Sequence, residues 1–244
     1  MHVGLLAAMP QELGKIKENL INLKSDKFGD LEIYSGEWEN SYNTKIFVSV
    51  AWSGWGKISA ARAATRLIST KLQNQKVDLV IFTGVAGAVD NKLKQWDVVI
   101  SESVIQHDMD ARPLFNKFVI PALNQDKIRP RKEILDKFYG VLKKKIKESN
   151  TFGDLYKGLI ATGDMFISEK EKISYLSKEI PSLLAVEMEG AALAQVASQE
   201  NIDWLIVRVI SDGANESAHD DFSQFLIKYE YESWKLIKIL LEFI

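Results

Sequence analysis

The sequence predicts an α/β fold, built as a single domain with a mixed, twisted central sheet flanked by helices. Three observations point there. Short apolar, β-branched runs recur at residues 3–8, 31–34, 46–51, 79–82, 98–105, 158–161, 183–186 and 204–210, with the length and composition of strands buried on both faces. Segments of helical periodicity lie between several of them, at 10–20, 58–72, 131–147, 170–178, 190–199 and 223–241. No repeat of solenoid or propeller period and no Pro/Gly/Ser-rich linker interrupts this alternation, so residues 1–244 read as one unit.

Each element has a local reason. The run at 3–8 precedes Pro10, whose missing N–H suits the first position of a helix. At the other end, Phe225, Tyr229, Leu236 and Leu240 recur at helical spacing and predict a packed C-terminal helix. Lys143, Lys144, Lys145 and Lys147 follow an apolar-periodic stretch and read as the solvated face of a helix.

Composition narrows the function. The chain has 244 residues, 46% apolar and 26% charged, which suits a globular protein with a substantial core. Thirty-one basic against thirty-three acidic residues argue against a chain dedicated to nucleic acid. Cysteine is absent, which excludes disulfide frameworks, thiolate metal sites and cysteine nucleophiles. The longest charge-free apolar stretch near the middle, 79–89, is too short to span a bilayer. The first nine residues lack the basic start of a secretion signal, so a cytoplasmic protein with no membrane partner is expected.

Ligands of open α/β sheets bind beyond the carboxyl ends of the strands. Four of five such ends carry acids here: Glu12, Asp164, the Glu187/Glu189 pair and Asp212. The fifth carries the turn Gly84–Gly87, which is GxxG and lacks a dinucleotide fingerprint. Its two candidate roles are tight strand–helix packing and ligand contact. Glu187 and Glu189, two residues apart at a strand end, share a face, and their apolar flanks predict burial. Arg208, inside an apolar strand, keeps its charge and needs an acid nearby. If Glu12, Glu187, Glu189 and Asp212 converge on Arg208, the formal charge is about −3. Such a pocket repels phosphate, favours a developing cation and raises carboxyl pKa values. These properties suit cleavage of a glycosidic bond through an oxocarbenium-like state. His107, Asp108 and Asp110 are too few for a metal site, and His2 and His219 share no ligand spacing, so neither metal nor cofactor is expected.

Six segments in register extend this reading: GLLAAMPQE (4–12), SGWGK (53–57), TGVAG (83–87), ATGDMFI (161–167), VEMEG (186–190) and RVISDG (208–213). Together the chain resembles the purine nucleoside phosphorylase/nucleosidase superfamily, closest to the 5′-methylthioadenosine/S-adenosylhomocysteine nucleosidases. The resemblance implies a partly barrel-like sheet, a homodimer and hydrolysis of 5′-substituted adenine nucleosides, 5′-deoxyadenosine among the candidates. It implies Glu12 as base on the attacking water, Asp212 as acid toward the purine, and Met188 and Glu189 at the ribose. It implies Phe166 stacked on the base, the Ile167 backbone at the adenine edge, and Arg208 in support. Met9, Ser211 and Glu187 join the expected substrate contacts, with Phe222 covering the pocket and Asp108 and Pro113 completing that of a partner subunit.

Two departures bear on substrate choice. Val85 stands where many relatives carry serine, and Trp55 where a smaller aliphatic residue is common beside the 5′ group. Three alternatives follow: a phosphorylase of the same fold, a nucleosidase for another purine nucleoside, and a nucleoside-binding protein without activity. The acid ending 7–12, where a phosphorylase would carry phosphate-binding cations, favours hydrolysis.

Overall fold

The structure, a computed structural model, describes residues 1–213 and 218–244, the side chains of 219–221 excepted. His219 therefore lies outside the described side chains. In chain order the elements are β1 (His2–Ala7), a 3₁₀ turn (Pro10–Leu13), α1 (Ile16–Asn19), β2 (Ile21–Phe28), β3 (Leu31–Glu39), β4 (Lys45–Trp52) and α2 (Lys57–Ile68). Then come β5 (Lys71–Leu72), β6 (Gln75–Lys76), β7 (Leu79–Ala88), β8 (Val98–Gln106), β9 (Lys127–Ile128), α3 (Lys132–Lys147) and β10 (Leu155–Thr162). The chain ends with α4 (Lys170–Glu179), β11 (Leu183–Glu187), α5 (Gly190–Gln199), β12 (Asp203–Asp212) and α6 (Ala218–Glu242).

One mixed sheet orders its strands β11-β10-β8-β12-β7-β1-β4-β3-β2. β1, β4, β7 and β12 form the parallel middle, while β8 runs antiparallel to β12. The long β7 reaches past its neighbours, and its last residues pair antiparallel with β11, Gly87 with Val186 and Ala88 with Ala185. That contact closes β7, β12, β8, β10 and β11 into a ring. The sheet is thus barrel-like on one side and open on the other, as the family resemblance implied.

Residue alternation builds the two apolar layers. Leu5, Ile81 and Val207 pack toward Phe225, Tyr229, Leu236 and Leu240 of α6. Leu6, Phe82 and Ile206 pack toward Ala63 and Leu67 of α2 and Leu193 of α5. A third cluster, including Ile105, Leu159, Ala161 and Val186, lies where β8, β10 and β11 meet α4. The lysines at the end of α3 lie on its solvated side, with Leu142 and Ile146 turned inward.

Two expectations change, and the strand β2 lies where no apolar run predicts one. The helix expected at 10–20 is broken at Gly14, whose φ is +50° and where a Cβ would lie 2.8 Å from the Trp234 nitrogen. The helix expected to run to 72 ends at Ile68, because Gln73 and Asn74 adopt positive φ and turn a small hairpin between β5 and β6. β2 carries no apolar run because nearly all of it is exposed, with Lys24 and Lys27 along a sheet edge.

Candidate active site

A cavity of about 570 Å³, counting its open mouth, lies beyond the carboxyl ends of β1, β7, β11 and β12. Twelve of the fifteen site residues expected from sequence line it: Met9 and Glu12 after β1, Trp55 after β4, Val85 on β7, Phe166 and Ile167 after β10, Glu187, Met188 and Glu189 around the end of β11, Ser211 and Asp212 on β12, and Phe222 on α6. Arg208, Asp108 and Pro113 do not. Ala8, Ala86, Gly87, Met165 and Val186 join the lining without having been expected.

Glu12 is buried and held by backbone alone. Its Oε2 accepts N–H bonds from Ala8 and Met9, each 2.8 Å, and its Oε1 accepts one from Val85 at 2.9 Å. A carboxylate offers about four lone-pair positions, so this arrangement leaves room for one further donor from the cavity. Burial raises the Glu12 pKa despite the opposing Arg208 charge and the three N–H bonds. Gly84 makes the geometry possible: a Cβ there would collide with both the Glu12 carboxylate and the Arg208 guanidinium. The segment expected as a turn is part of β7, where Gly84 makes space for an acid and its counter-charge while Val85, Ala86 and Gly87 line the cavity.

Arg208 lies beneath the cavity, buried, with its guanidinium over the Phe82 ring. Nη1 donates to the Thr83 carbonyl at 2.9 Å, and Nη2 donates to Glu187 Oε2. Glu187 also accepts from the Thr162 hydroxyl and from the backbone of Gly190 (2.7 Å) and Glu189 (3.2 Å). Three of these bonds fall on Oε2, and Oε1 accepts the Thr162 hydroxyl alone. Glu187 thus borders the cavity and also anchors Arg208 and the start of α5.

Glu189 stands at the N-cap position of α5, makes no side-chain cap bond and keeps a different orientation. Its Oε1 accepts the Gly56 N–H at 2.7 Å. Burial, and after it the neighbouring Glu187 charge, pushes its pKa up to about 8. The shared face of Glu187 and Glu189 is realised, but a strand end followed at once by a helix cap divides the pair into an anchored acid and an acid facing the cavity.

Asp212 owes its direction to a bulge. The β7–β12 register shifts between Ile210 and Asp212, so Ser211 is the extra residue and consecutive side chains both reach the cavity. Ser211 Oγ donates to Asp212 Oδ2 at 2.7 Å. Across the mouth, Phe222 meets Phe166 edge-on at 5.8 Å and Trp55 edge-on at 6.4 Å. These rings offer a stacking surface for a flat, apolar ligand group.

The remaining expected residues lie apart. Both oxygens of Asp108 are engaged within its own chain, by Lys57 Nζ at 2.5 Å and the Asp164 N–H at 3.0 Å. Pro113 follows a cis peptide in the same segment. Asp110 pairs with Arg112, and the His107 ring fills the space that a Cβ at Gly163 would need. Backbone donors such as the Gly56 and Ala8 N–H groups leave no mark in side-chain chemistry; only the glycine flanking Trp55 hinted at one of them.

Comparison with known proteins extends the picture. Residues 2–242 match the family model described as Phosphorylase superfamily. A 5′-methylthioadenosine/S-adenosylhomocysteine nucleosidase from Haemophilus influenzae is 36% identical over 227 residues, 93% of this chain and 92% of that protein. The S-adenosylhomocysteine nucleosidase of Streptococcus pyogenes, solved in complex with 5-methylthiotubericidin, superposes with a TM-score of 0.86 at 31% identity, covering 99% of this chain and 96% of that one. The futalosine hydrolase of Helicobacter pylori superposes with a TM-score of 0.83 at 29% identity, covering 99% and 98%.

Two outcomes follow from the geometry. Gly84→Ala should lower stability in urea by roughly 1–3 kcal/mol, the usual cost of overpacking; unchanged stability would mean that the Glu12–Arg208 contact is loose. Glu189 and Glu12 have pKa values above the ordinary carboxylate range, so the folded chain retains protons that the unfolded chain has released. Stability is then greatest at low pH within this window and falls as pH rises toward 8. Melting curves of the free protein at roughly pH 5 to 8 should show Glu189→Gln losing less stability than the parent. Equal slopes would remove the raised proton affinity.

Proposed function

This chain belongs to the phosphorylase superfamily, and we propose that it hydrolyses the N-glycosidic bond of 5′-substituted adenine nucleosides, 5′-methylthioadenosine and S-adenosylhomocysteine first among them. Its nucleosidase relatives at 36% and 31% identity support the reading. The observation that carries it is the convergence of Glu12, Glu189 and Asp212 on one cavity with no cationic side chain among its described lining residues.

The assigned roles follow from what each group can still do. Glycosidic cleavage develops positive charge on the sugar and negative charge on the departing base. Asp212, steadied by Ser211, supplies the proton toward the base. Glu12, with one acceptor position open, orients a water molecule and takes its proton as the water oxygen bonds to the anomeric carbon. Glu189 holds sugar hydroxyls, and Phe166 and Phe222 flank the base. Arg208 lies behind Glu187 and keeps the acids buried without offering charge to a phosphate. A phosphorylase would need cations facing the cavity. A binding protein would not need an acid and a base on the same ligand.

The same proposal includes a homodimer. Ile58 and Leu114 are 84% and 85% exposed; a partner would cover such apolar side chains and bring its Pro113 toward the cavity. It also includes one domain over residues 1–244 and a cytoplasmic location. No described helix is long and apolar enough to cross a membrane.

Adenine release from methylthioadenosine should proceed equally with and without phosphate. Asp212→Asn should slow it about 10²–10⁴-fold, the usual contribution of a general acid, with the fold intact. A strict phosphate requirement, or unchanged turnover in that variant, would overturn the reading. Sedimentation should give twice the chain mass. Comparison of methylthioadenosine, S-adenosylhomocysteine, 5′-deoxyadenosine, adenosine and inosine fixes the substrate; a strong preference for inosine would remove the adenine assignment.

A further inference from the structure

Three loops meet outside the cavity wall through side chains that the chemistry above leaves unused. Lys57, after the loop carrying Trp55, sends its Nζ to Asp108 Oδ1 at 2.5 Å. Its own backbone N–H donates to Asp164 Oδ1 at 2.7 Å. The Asp164 N–H in turn donates to Asp108 Oδ2 at 3.0 Å, and Lys57 Nζ lies 3.9 Å from Asp164 Oδ2. The Lys57 and Asp108 side chains are only 19% and 22% exposed, so their attraction is poorly screened by solvent and removing one partner leaves the other charge partly buried.

The position of this cluster matters. Gly56 and Lys57 present successive N–H groups to two different acids: Gly56 to Glu189 at 2.7 Å inside the cavity, and Lys57 to Asp164 outside it. A single residue's backbone torsions link those two bonds. At Gly56 φ is +91°, and a Cβ would lie 3.0 Å from Asp164 Oδ1, so the close approach requires glycine. Asp164 also begins the segment that carries Phe166 and Ile167. Fixing Asp164 therefore fixes the backbone that carries the donor to Glu189.

We propose that Lys57, Asp108 and Asp164 form a latch that positions the Gly56 N–H and, through it, the carboxyl of Glu189. None of the three lines the cavity; they are positioning residues. The proposal rests on the assignment of Glu189 to the sugar hydroxyls. Breaking the latch frees the loop, and Glu189 loses the donor that orients it. The penalty should then fall on substrates whose hydroxyls Glu189 holds.

A double-mutant cycle tests this. Asp108→Ala, Asp108→Asn and Lys57→Met are each made alone and with Glu189→Gln, with thermal melts to confirm folding. Adenine release is followed from methylthioadenosine and from its 2′,3′-dideoxy analogue. Each single variant should lose about tenfold or more in kcat/KM on methylthioadenosine, the scale of a small misplacement of a binding group. It should lose little on the dideoxy analogue, and little further in the Glu189→Gln background. Asp108→Asn, which retains an acceptor but not the charge, should fall between the parent and Asp108→Ala. Equal losses on both substrates, or additive losses in the cycle, would show a merely structural cluster and overturn the latch. Failure of the parent protein to release adenine from methylthioadenosine strikes instead at the proposed function. Calorimetric affinity for the nucleoside then replaces rate in the same cycle, and absence of binding takes the latch down with that reading.

Discussion

Carboxyl groups gathered in an apolar cavity must each find donors or a counter-charge, because an unpaired buried charge costs several kcal/mol. Much of the site's local architecture answers that requirement. Among the described residues Arg208 is the one guanidinium committed to it, and it is bound to Glu187 and the Thr83 carbonyl. Glu12 and Glu189 rely on backbone. Glu12 takes three N–H groups from two separate strand ends, and Glu189 takes one from a glycine between β4 and α2. Backbone donors carry no side-chain entropy cost, so they hold the acids with little mobility. Gly84 and Gly56 are needed because these approaches leave no space for a side chain.

Such convergence demands a sheet that brings distant strand ends together. A flat sheet would separate β11 from β7. The antiparallel contact of Val186 with Gly87 instead folds one side of the sheet into a ring, so that Glu187 and Glu189 arrive beside Arg208. The bulge at Ser211 adds the last turn, directing Asp212 into the cavity where regular alternation would leave one of the two consecutive side chains behind. α6 closes the arrangement from below: it buries Phe225 and Tyr229 against the middle strands, and Ser233 Oγ reaches the Gln11 carbonyl at 3.1 Å, tying the helix to the turn that carries Glu12.

This division explains what could be read from the chain. The strands of the middle were legible because burial on both faces leaves continuous apolar runs, and α5 was located at Gly190–Gln199. The acids were legible because each follows such a run at once. β2 was not, since an exposed edge imposes no apolar pattern. The anchoring of Arg208 by Glu187 was not legible, because its spacing from Glu189 carries no sign of which acid Arg208 will occupy. The engagement of Asp108 by Lys57 and Asp164, which lie about fifty residues away on either side, was not legible either. Only the three-dimensional closure decides such pairings.

The same constraint determines the chemistry. A water-filled site would let all its acids ionise at ordinary pH and leave none with a proton to hold or to take near neutrality. Here Glu187 is the acid paired with Arg208, and the cation is thereby spent before it reaches the cavity. Glu12 and Glu189 feel burial more than attraction, and their pKa values rise accordingly. A carboxyl with raised proton affinity is a better acceptor for a proton from water than an ordinary solvated one. The walls lack positive charge among the described residues, so a phosphate dianion would meet repulsion where neutral water meets none. Water as nucleophile and the developing cation on the sugar are both favoured by one arrangement: an arginine turned away from the substrate and acids turned toward it.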